Sequence, residues 1–405
     1  MPASSTPSSP STRIPPGVWV LGFVSMLMDI SSELVHSLLP LFLVGTLGVS
    51  VLAVGLIEGL AESAALISKV FSGALSDYLG RRKGLAVLGY TMGALTKPVF
   101  ALATGVGAVV AARFIDRVGK GIRGAPRDAL LADITPPGIR GAAFGLRQSL
   151  DTAGALIGPL LATGLMLLWA NDFRAVFWVA VIPGFLAVLL LALGVKEPER
   201  ERARGAVNPI RREALARLGR SYWWVVGIGA VFTLARFSEA FLVLRAAQLG
   251  VPIAWVPLVM VAMSLTYTAS AYPFGKLSDK VSRTRLLAAG LAVLIAADLV
   301  LAWAGGWLAL GLGVALWGVH MGMTQGLLAA MVADTAPEDL RGTAFGFFNL
   351  LSGVAMLVSS AVAGLMWQAF GSTLTFYVGA GFAAFTLIAI AFTAVRARRG
   401  GAPGI

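Results

Sequence analysis

Long apolar runs separated by short polar gaps occupy almost the whole chain. A helix needs about 20 mostly apolar residues to cross the hydrocarbon core of a bilayer. The runs therefore predict an all-α membrane protein with twelve transmembrane helices. They lie at residues 18–43, 52–76, 84–104, 107–131, 142–169, 174–195, 222–246, 253–274, 284–304, 307–333, 342–367 and 372–395.

The composition of the chain agrees with a lipid environment. Its 405 residues are 57% hydrophobic and only 13% charged, whereas soluble domains average about 25% charged residues. A water-soluble fold of this size could not cover its surface with so few polar side chains. The chain has no cysteine and two histidines, which excludes a thiolate or histidine-rich metal cage. We expect no metal site and no cofactor.

The positions of the basic residues predict how the chain is oriented. The formal net charge is +12, and most lysines and arginines fall in alternate gaps between apolar runs, as the positive-inside rule places them in cytoplasmic loops. This distribution indicates a multi-pass protein of the bacterial inner membrane with both termini in the cytoplasm. We expect it to act as a monomer with a small solute, protons and the lipid bilayer as partners, and not with nucleic acid.

The two halves of the sequence repeat each other. The segment GALSD at Gly73 returns as GKLSD at Gly275, and the pattern that begins at Ala132 returns at Ala333. We therefore predict two pseudo-symmetric six-helix bundles, since duplicated repeats often move about a binding site at the membrane midplane. The predicted boundaries are a disordered tail over 1–17, bundles over 18–195 and 222–396, a cytoplasmic linker over 196–221 and a tail over 397–405.

The loop after the second predicted helix reads GALSDYLGRRK from Gly73 to Lys83. It resembles the signature G-x-L-a-D-r-x-G-r-[RK]-[RK] of the major facilitator superfamily, and the resemblance covers about residues 18–396. It implies secondary transport by alternating access, with this loop and its second copy acting as a conformational latch. The alternative is that the loops only anchor helices at the membrane surface. The gating residues implied are Gly73, Asp77, Arg81, Arg82, Gly275 and Asp279.

The fifth predicted helix contains small residues four apart, Gly154 and Gly158, followed by Pro159. Such spacing favours close packing of helices, and the proline permits a bend. The segment is similar to the family's antiporter motif, G-x-x-x-G-P-x-x-G-G, except that Ala162 and Thr163 stand at the final glycine positions. This resemblance implies that Gly154, Gly158 and Pro159 also take part in gating, and it favours export slightly over import.

Ionisable residues lie inside several predicted helices, although each costs about 2.5–3.5 kcal/mol at the centre of a span. The fourth helix carries five basic residues whose spacing places them on one side. Two interpretations remain open: a structural network that neutralises this basic stripe, or a network that binds and releases protons as neighbouring charges change. The candidate proton-coupling acids are Asp29, Glu33, Glu58, Glu62 and Asp116.

Polar residues at mid-membrane depth predict the substrate cavity. In the N-terminal half they come from the basic stripe, and in the C-terminal half from the seventh, eighth and tenth helices. A single histidine in a span is also common as a hydrogen-bonded packing residue, so its assignment to the cavity has a structural alternative. The candidates are Arg113, Arg117, Arg236, Glu239, Tyr267, His320, Met323, Thr324 and Gln325.

These observations predict a secondary active transporter that moves a small solute by alternating access, coupled to protons and with export favoured. The alternatives are an importer of an anionic organic solute, a divalent metal exporter and a non-transporting membrane sensor on the same scaffold. The sequence contains no Ser/His/Asp set, no HExxH motif and no P-loop, so we expect no enzyme activity and no catalytic residue.

Overall fold

The computed structural model describes residues 14–79, 81–197, 217–278, 280–337 and 340–399. The described chain is helical throughout, which confirms the predicted all-α class. Its main helices are α1 (Pro16–His36), α2 (Val51–Leu79), α3 (Arg82–Leu102), α4 (Val106–Ile134), α5 (Arg140–Leu168), α6 (Phe173–Gly194), α7 (Arg220–Leu234), α8 (Ala240–Gln248), α9 (Leu258–Ser278), α10 (Arg283–Trp303), α11 (Trp307–Thr335), α12 (Arg341–Phe370) and α13 (Ser372–Arg399).

Within the described ranges, ten helical segments are long and apolar enough to cross a membrane. The fourth predicted crossing, α4, is not among them because of its many charged residues. The seventh is divided between α7, with 15 residues, and α8, with 9, and each piece is too short to span alone. All twelve predicted crossings nevertheless have a helical counterpart in the structure.

The two halves of the chain are joined along α2 and α12. A Cβ added at Gly55 would lie 2.4 Å from the backbone oxygen of Ser360, and one added at Gly59 would lie 3.1 Å from the Cα of Leu357. On α12, an added Cβ at Gly364 would meet the backbone of Leu52 at 2.9 Å. Because glycine has no side chain, the two backbones approach closely, as small residues permit between helices in lipid.

The first helix of each half is interrupted. α1 ends at His36 and continues as two short helical segments, Leu39–Leu41 and Phe42–Thr46. The break between α7 and α8 spans residues 235–239, and α12 satisfies the backbone groups that it frees. Ser359 Oγ donates to the carbonyl of Arg236 (3.1 Å), while the N–H of Ser238 donates to Ser360 Oγ (3.2 Å). Irregular backbone at membrane depth is tolerated where protein groups replace the lost hydrogen bonds.

Close packing of α2 on α12 can be tested at Gly55. The variant Gly55→Ala places a methyl group against the backbone oxygen of Ser360, and overpacking of this kind costs about 1–3 kcal/mol. We expect a lower melting temperature for the detergent-purified protein, measured by thermal unfolding. The matched change Gly164→Ala, on α5 with open space around it, should not lower the melting temperature. Equal melting of both variants would contradict the close contact.

Candidate functional site

A cavity of about 520 Å³ lies between the two halves, within the range of about 300–1,000 Å³ that is typical of small-molecule sites. Helices α1, α2, α4 and α5 form its N-terminal wall, and this wall is rich in charge. Its acids are Asp29, Glu33, Glu62, Asp128 and Asp151. Its bases are Lys69, Lys120, Arg123 and Arg127.

The C-terminal wall has a different chemistry. Helices α9 and α11 contribute thioethers and neutral polar groups, and the break before α8 contributes one carboxylate. Its residues are Glu239, Met260, Met263, Ser264, Tyr267, Met321 and Gln325. The cavity is therefore charged on one side, and soft and nearly neutral on the other.

Glycines on α5 bring α1 to the cavity wall. A Cβ added at Gly154 would lie 2.5 Å from the backbone oxygen of Met26, and one added at Gly158 would lie 2.7 Å from the Cβ of Glu33. The α5 helix continues through Pro159 without a break. This close contact fixes the height and direction of Asp29 and Glu33, which follow one another by one turn on α1.

The first two residues of the basic stripe on α4, Arg113 and Arg117, form ion pairs behind the cavity. Arg113 donates to both carboxylate oxygens of Glu58, from Nε at 3.1 Å and from Nη2 at 2.5 Å. Arg117 Nη1 lies 3.2 Å from Glu62 Oε1. The side chain of Glu58 is fully buried, and both arginines are buried as well. His36 completes this group, with Nε2 at 3.6 Å from Glu58 Oε2.

A second buried pair joins α3 to α4. Lys97 Nζ donates to Asp116 Oδ1 at 2.8 Å and to Ser32 Oγ at 3.2 Å, and Arg117 Nε lies 3.4 Å from Asp116 Oδ2. The sequence interpretation missed Lys97. Its signal was present, since it is a lysine inside the third predicted helix, next to Pro98.

The residues of the stripe nearer the C-terminal end of α4 form fewer close ion pairs. Arg127 Nη2 lies 3.0 Å from Asp128 Oδ1, and its Nη1 lies 4.0 Å from Asp151 Oδ1. Asp151 also forms an ion pair with Arg147, one turn earlier on α5. Asp151 is a further cavity residue that the sequence interpretation missed, and Arg147 is its partner behind the wall. Both lie within the fifth predicted helix.

Four charged side chains of the cavity have no ion pair or side-chain hydrogen bond to any residue that the structure describes. They are Asp29, Lys69, Lys120 and Glu239. Arg123 also lacks an ion pair in this part of the chain, but its guanidinium lies over the ring of Tyr90, 4.9 Å from the centroid. These groups are the charges that a bound solute or proton could neutralise.

The same ion pair occurs at equivalent positions in both halves. Arg82 Nη1 lies 2.5 Å from Asp133 Oδ2, and Arg283 is paired with Asp334. The two arginines and the two aspartates are each 201 positions apart, which is the offset between the repeated segments at Ala132 and Ala333.

Comparison with known proteins agrees with this duplication. The sequence profile of the Major Facilitator Superfamily matches residues 21–245 and matches again over residues 230–404. The chain belongs to the major facilitator superfamily. Members of this superfamily are transporters, so the chain is a multi-pass membrane transporter and not an enzyme, as the sequence predicted.

Several relatives of this superfamily protein are similar over most of its length. An uncharacterized MFS-type transporter of Methanocaldococcus jannaschii is 33% identical over 363 residues, which cover 87% of this chain and 88% of the relative. The multidrug resistance protein MdtH of Photorhabdus laumondii is 29% identical over 281 residues, or 68% of each chain. The crystal structure of the nucleoside transporter NupG has the same fold, with a TM-score of 0.77 at 14% identity, covering 92% of this chain and 98% of that one.

The structure brings together only part of the predicted site of this superfamily member. Among the predicted proton-coupling acids, Asp29, Glu33 and Glu62 line the cavity, whereas Glu58 and Asp116 lie behind it in buried ion pairs. Their roles in proton coupling stay predictions.

The predicted substrate-cavity residues divide in the same way. Glu239, Tyr267 and Gln325 line the cavity, and Met323 lines an adjoining pocket between α5, α9 and α11. Arg113 and Arg117 lie in the ion pairs described above. His320 and Thr324 are fully buried in the C-terminal half, where His320 Nδ1 is 2.8 Å from the backbone oxygen of Gly290.

The remaining predicted cavity residue, Arg236, packs between two rings of the C-terminal half. Its guanidinium carbon lies 5.9 Å from the ring centroids of Phe232 and Trp317. The Trp317 ring in turn donates from Nε1 to Asp298 Oδ1 at 3.3 Å. Arg236 therefore supports the wall from behind and does not line the cavity.

The predicted gating residues lie in different surroundings. Gly73 lets α2 approach α4, since an added Cβ would lie 3.4 Å from the Cβ of Ala125. Arg81 is exposed, Arg82 is paired with Asp133, and Gly275 has open space around it. Asp279 and the side chain of Asp77 lie outside the described part of the chain. The role of all these residues in gating stays a prediction.

The buried pair of Lys97 and Asp116 gives a test of the charge network. Asp116→Asn leaves the Lys97 ammonium buried without its carboxylate, and breaking such a pair costs about 3–5 kcal/mol. Adding Lys97→Met should recover much of the lost stability, measured as melting temperatures in a double-mutant cycle.

The control for this cycle is Asp128→Asn. The Asp128 side chain is 35% exposed, and exposed pairs contribute about 0–1 kcal/mol. A double variant less stable than Asp116→Asn alone would contradict the assigned pairing.

Proposed function

We propose that the chain is a proton-coupled secondary transporter, which moves a small solute across the cytoplasmic membrane by alternating access, with export favoured. One observation carries this proposal: an acid without an ion-pair partner in the described chain, Asp29, lies on the wall of a cavity between two homologous halves. Such a group can exchange a proton with water in the same space that a solute would occupy.

Asp29 is a better proton carrier than its neighbours on the same wall. Glu33 lies 3.5 Å from His36, and Glu62 lies 3.2 Å from Arg117. Protonation of either glutamate would break an existing ion pair, whereas protonation of Asp29 breaks none among the described residues. We therefore assign the proton to Asp29 and keep Glu33 as the second candidate.

The distribution of contacts supports an inward-open arrangement. The halves meet where α8 contacts the Leu39–Leu41 segment and where Ile253–Trp255 contacts α5. The cavity extends the other way, to Lys69, Asp128 and Gln148, toward the membrane face that bears Arg81 and Arg140. By the positive-inside rule we assign this face, and with it both termini, to the cytoplasm.

Alternating access requires the two halves to move against each other. We propose that the bundles over 18–195 and 222–396 move as units about the cavity, and that the linker over 196–221 joins them. Most of this linker, residues 198–216, lies outside the described chain.

The direction of transport rests on two lines of support. The multidrug resistance relative and the Gly154, Gly158 and Pro159 motif both favour export. Import of an anionic solute is the second candidate, because Lys69 and Lys120 reach the cavity without an ion-pair partner in the described chain. Divalent metal export is not favoured, since no group of three or more acidic or histidine side chains in the described ranges is arranged to hold a metal ion.

Asp29→Asn tests the proton assignment in proteoliposomes with an imposed pH gradient and rhodamine B as the probe solute. We expect flux driven by the gradient to fall to the level of protein-free liposomes, because the variant cannot carry a proton. Exchange of the dye at equal pH should persist, because solute binding does not need the carboxylate to titrate.

The matched control for this test is Asp172→Asn. Asp172 accepts from the N–H groups of Arg174 and Ala175 at the start of α6, and asparagine caps helices about as well as aspartate. This control should transport like the parent protein. Full gradient-driven flux of Asp29→Asn with unchanged pH dependence would rule out Asp29 as the carrier.

A further inference from the structure

Apart from Asp29, to which the proton is assigned, the cavity charges without ion pairs in the described chain are of opposite sign on the two walls. On the N-terminal wall, Lys69 and Lys120 are exposed to the cavity. On the C-terminal wall, Glu239 is the charged lining residue. None of the three has an ion pair within the ranges that the structure describes, so each can pair with a ligand.

Close packing of α2 on α4 holds the two lysines near each other. A Cβ added at Gly121 would lie 2.5 Å from the backbone oxygen of Ala65 and 3.0 Å from the backbone nitrogen of Lys69. The Lys69 side chain then runs along α4, with its Cε at 4.0 Å from the Cβ position of Gly124. This position is one turn beyond Lys120 on α4, and both lysines line the same cavity.

Lys120 lies midway along the 29 residues of α4, and therefore near the middle of the membrane, where an unpaired lysine is costly. Asp29, Glu33 and Glu62 are within electrostatic reach of it, but none of them forms an ion pair with it. They offset part of its charge and leave its N–H donors free. An anionic group of a solute could therefore accept from Lys120 and Lys69 together.

The Glu239 carboxylate also forms no ion pair with any residue that the structure describes. It sits at the break between α7 and α8. Arg236, three residues earlier, is within its electrostatic reach but packs against Phe232 and Trp317. His36, Glu62 and Glu33 are also within its electrostatic reach, although all three already have ion-pair partners. The cationic group of a solute could therefore pair with Glu239.

The rest of the C-terminal wall suits an apolar body. Met260, Met263 and Met321 line it beside Tyr267. Methionine side chains are flexible and polarizable, and they adapt to ligands of different shapes. This wall therefore favours an apolar group in the solute, and it accepts such groups in different shapes.

A solute with a single charge does not satisfy this cavity. A cation that pairs with Glu239 would be repelled by Lys69 and Lys120, and an anion that pairs with the lysines would be repelled by Glu239. A solute that carries both charges pairs with both walls at once. It also links the N-terminal and C-terminal halves, which is what a transporter needs if binding is to favour closure.

We propose that the cavity selects zwitterionic organic solutes. The anionic group binds Lys69 and Lys120, the cationic group binds Glu239, and the apolar body packs on the methionines. The inference rests on the proposed transport function of the same cavity, and it names the substrate class.

Three xanthene dyes of similar size test the class with the full-length protein in detergent at low ionic strength. Rhodamine B is zwitterionic at neutral pH, its ethyl ester is a cation, and fluorescein is an anion. We expect fluorescence anisotropy to give rhodamine B a dissociation constant about 10-fold lower than either of the other two, as a charged hydrogen bond implies.

Two variants test which wall of the cavity binds the cationic group of the dye and which binds the anionic group. Glu239→Gln should weaken rhodamine B until it binds no better than fluorescein. Lys69→Gln with Lys120→Gln should instead make the ethyl ester bind at least as well as rhodamine B. Lys280→Gln, an exposed lysine between α9 and α10, is the matched control and should leave all three affinities unchanged.

The outcomes separate the substrate class from the transport function, because binding is measured without a membrane or a gradient. Equal or tighter binding of the ester or of fluorescein by the parent protein overturns the inference, and so does the absence of binding by any dye. Selective binding of rhodamine B without gradient-driven flux keeps the inference and refutes proton coupling. Gradient-driven flux of the ester alone keeps coupled transport and refutes zwitterion selection.

Discussion

Ion pairs buried between α2, α3 and α4 are the interaction on which the cavity depends. A charged helix such as α4 can lie inside a membrane protein only if its guanidinium and ammonium groups are compensated. Glu58 and Asp116 do this for Arg113 and Lys97, at distances of 2.5 Å and 2.8 Å. With the stripe anchored in this way, Lys120 can remain open to the cavity.

The two duplicated halves share their helix arrangement but differ in their buried polar residues. The repeat offset relates Lys97 to Asp298 and Asp116 to Trp317. The buried ion pair of the N-terminal half is thus replaced by a hydrogen bond from an indole to a carboxylate, with the Asp298 side chain fully buried. The two halves therefore differ in charge behind the cavity as well as on its walls.

The features that the two halves share concern helix arrangement and movement, and not ligand binding. Both halves pair an arginine of the signature loop, or of its second copy, with an aspartate at the end of the fourth helix of that half. Both also interrupt their first helix, after His36 and after Leu234. Paired interruptions of this kind are a general mark of the midplane site in duplicated transporters, and Glu33 and Glu239 lie next to them.

The sequence by itself determined the helices, the duplication, the superfamily and the basic face of α4. Each of these follows from local spacing or from a motif, because a span is recognised by the length of one apolar run. It also identified Asp29, Glu33, Glu62 and Glu239 as residues of interest, since acids inside spans are conspicuous.

Only the tertiary structure decided which of these charges are paired. Lys97 reaches Asp116 from another helix, and Arg127 on α4 lies near Asp151 on α5, so no single segment reveals the arrangement. The break before α8 likewise depends on Ser359 and Ser360 of α12. The physical reason is that an ion pair or a rescued backbone group needs distances of about 3 Å between helices far apart in sequence. Helix packing sets these distances, and the pattern of one helix does not.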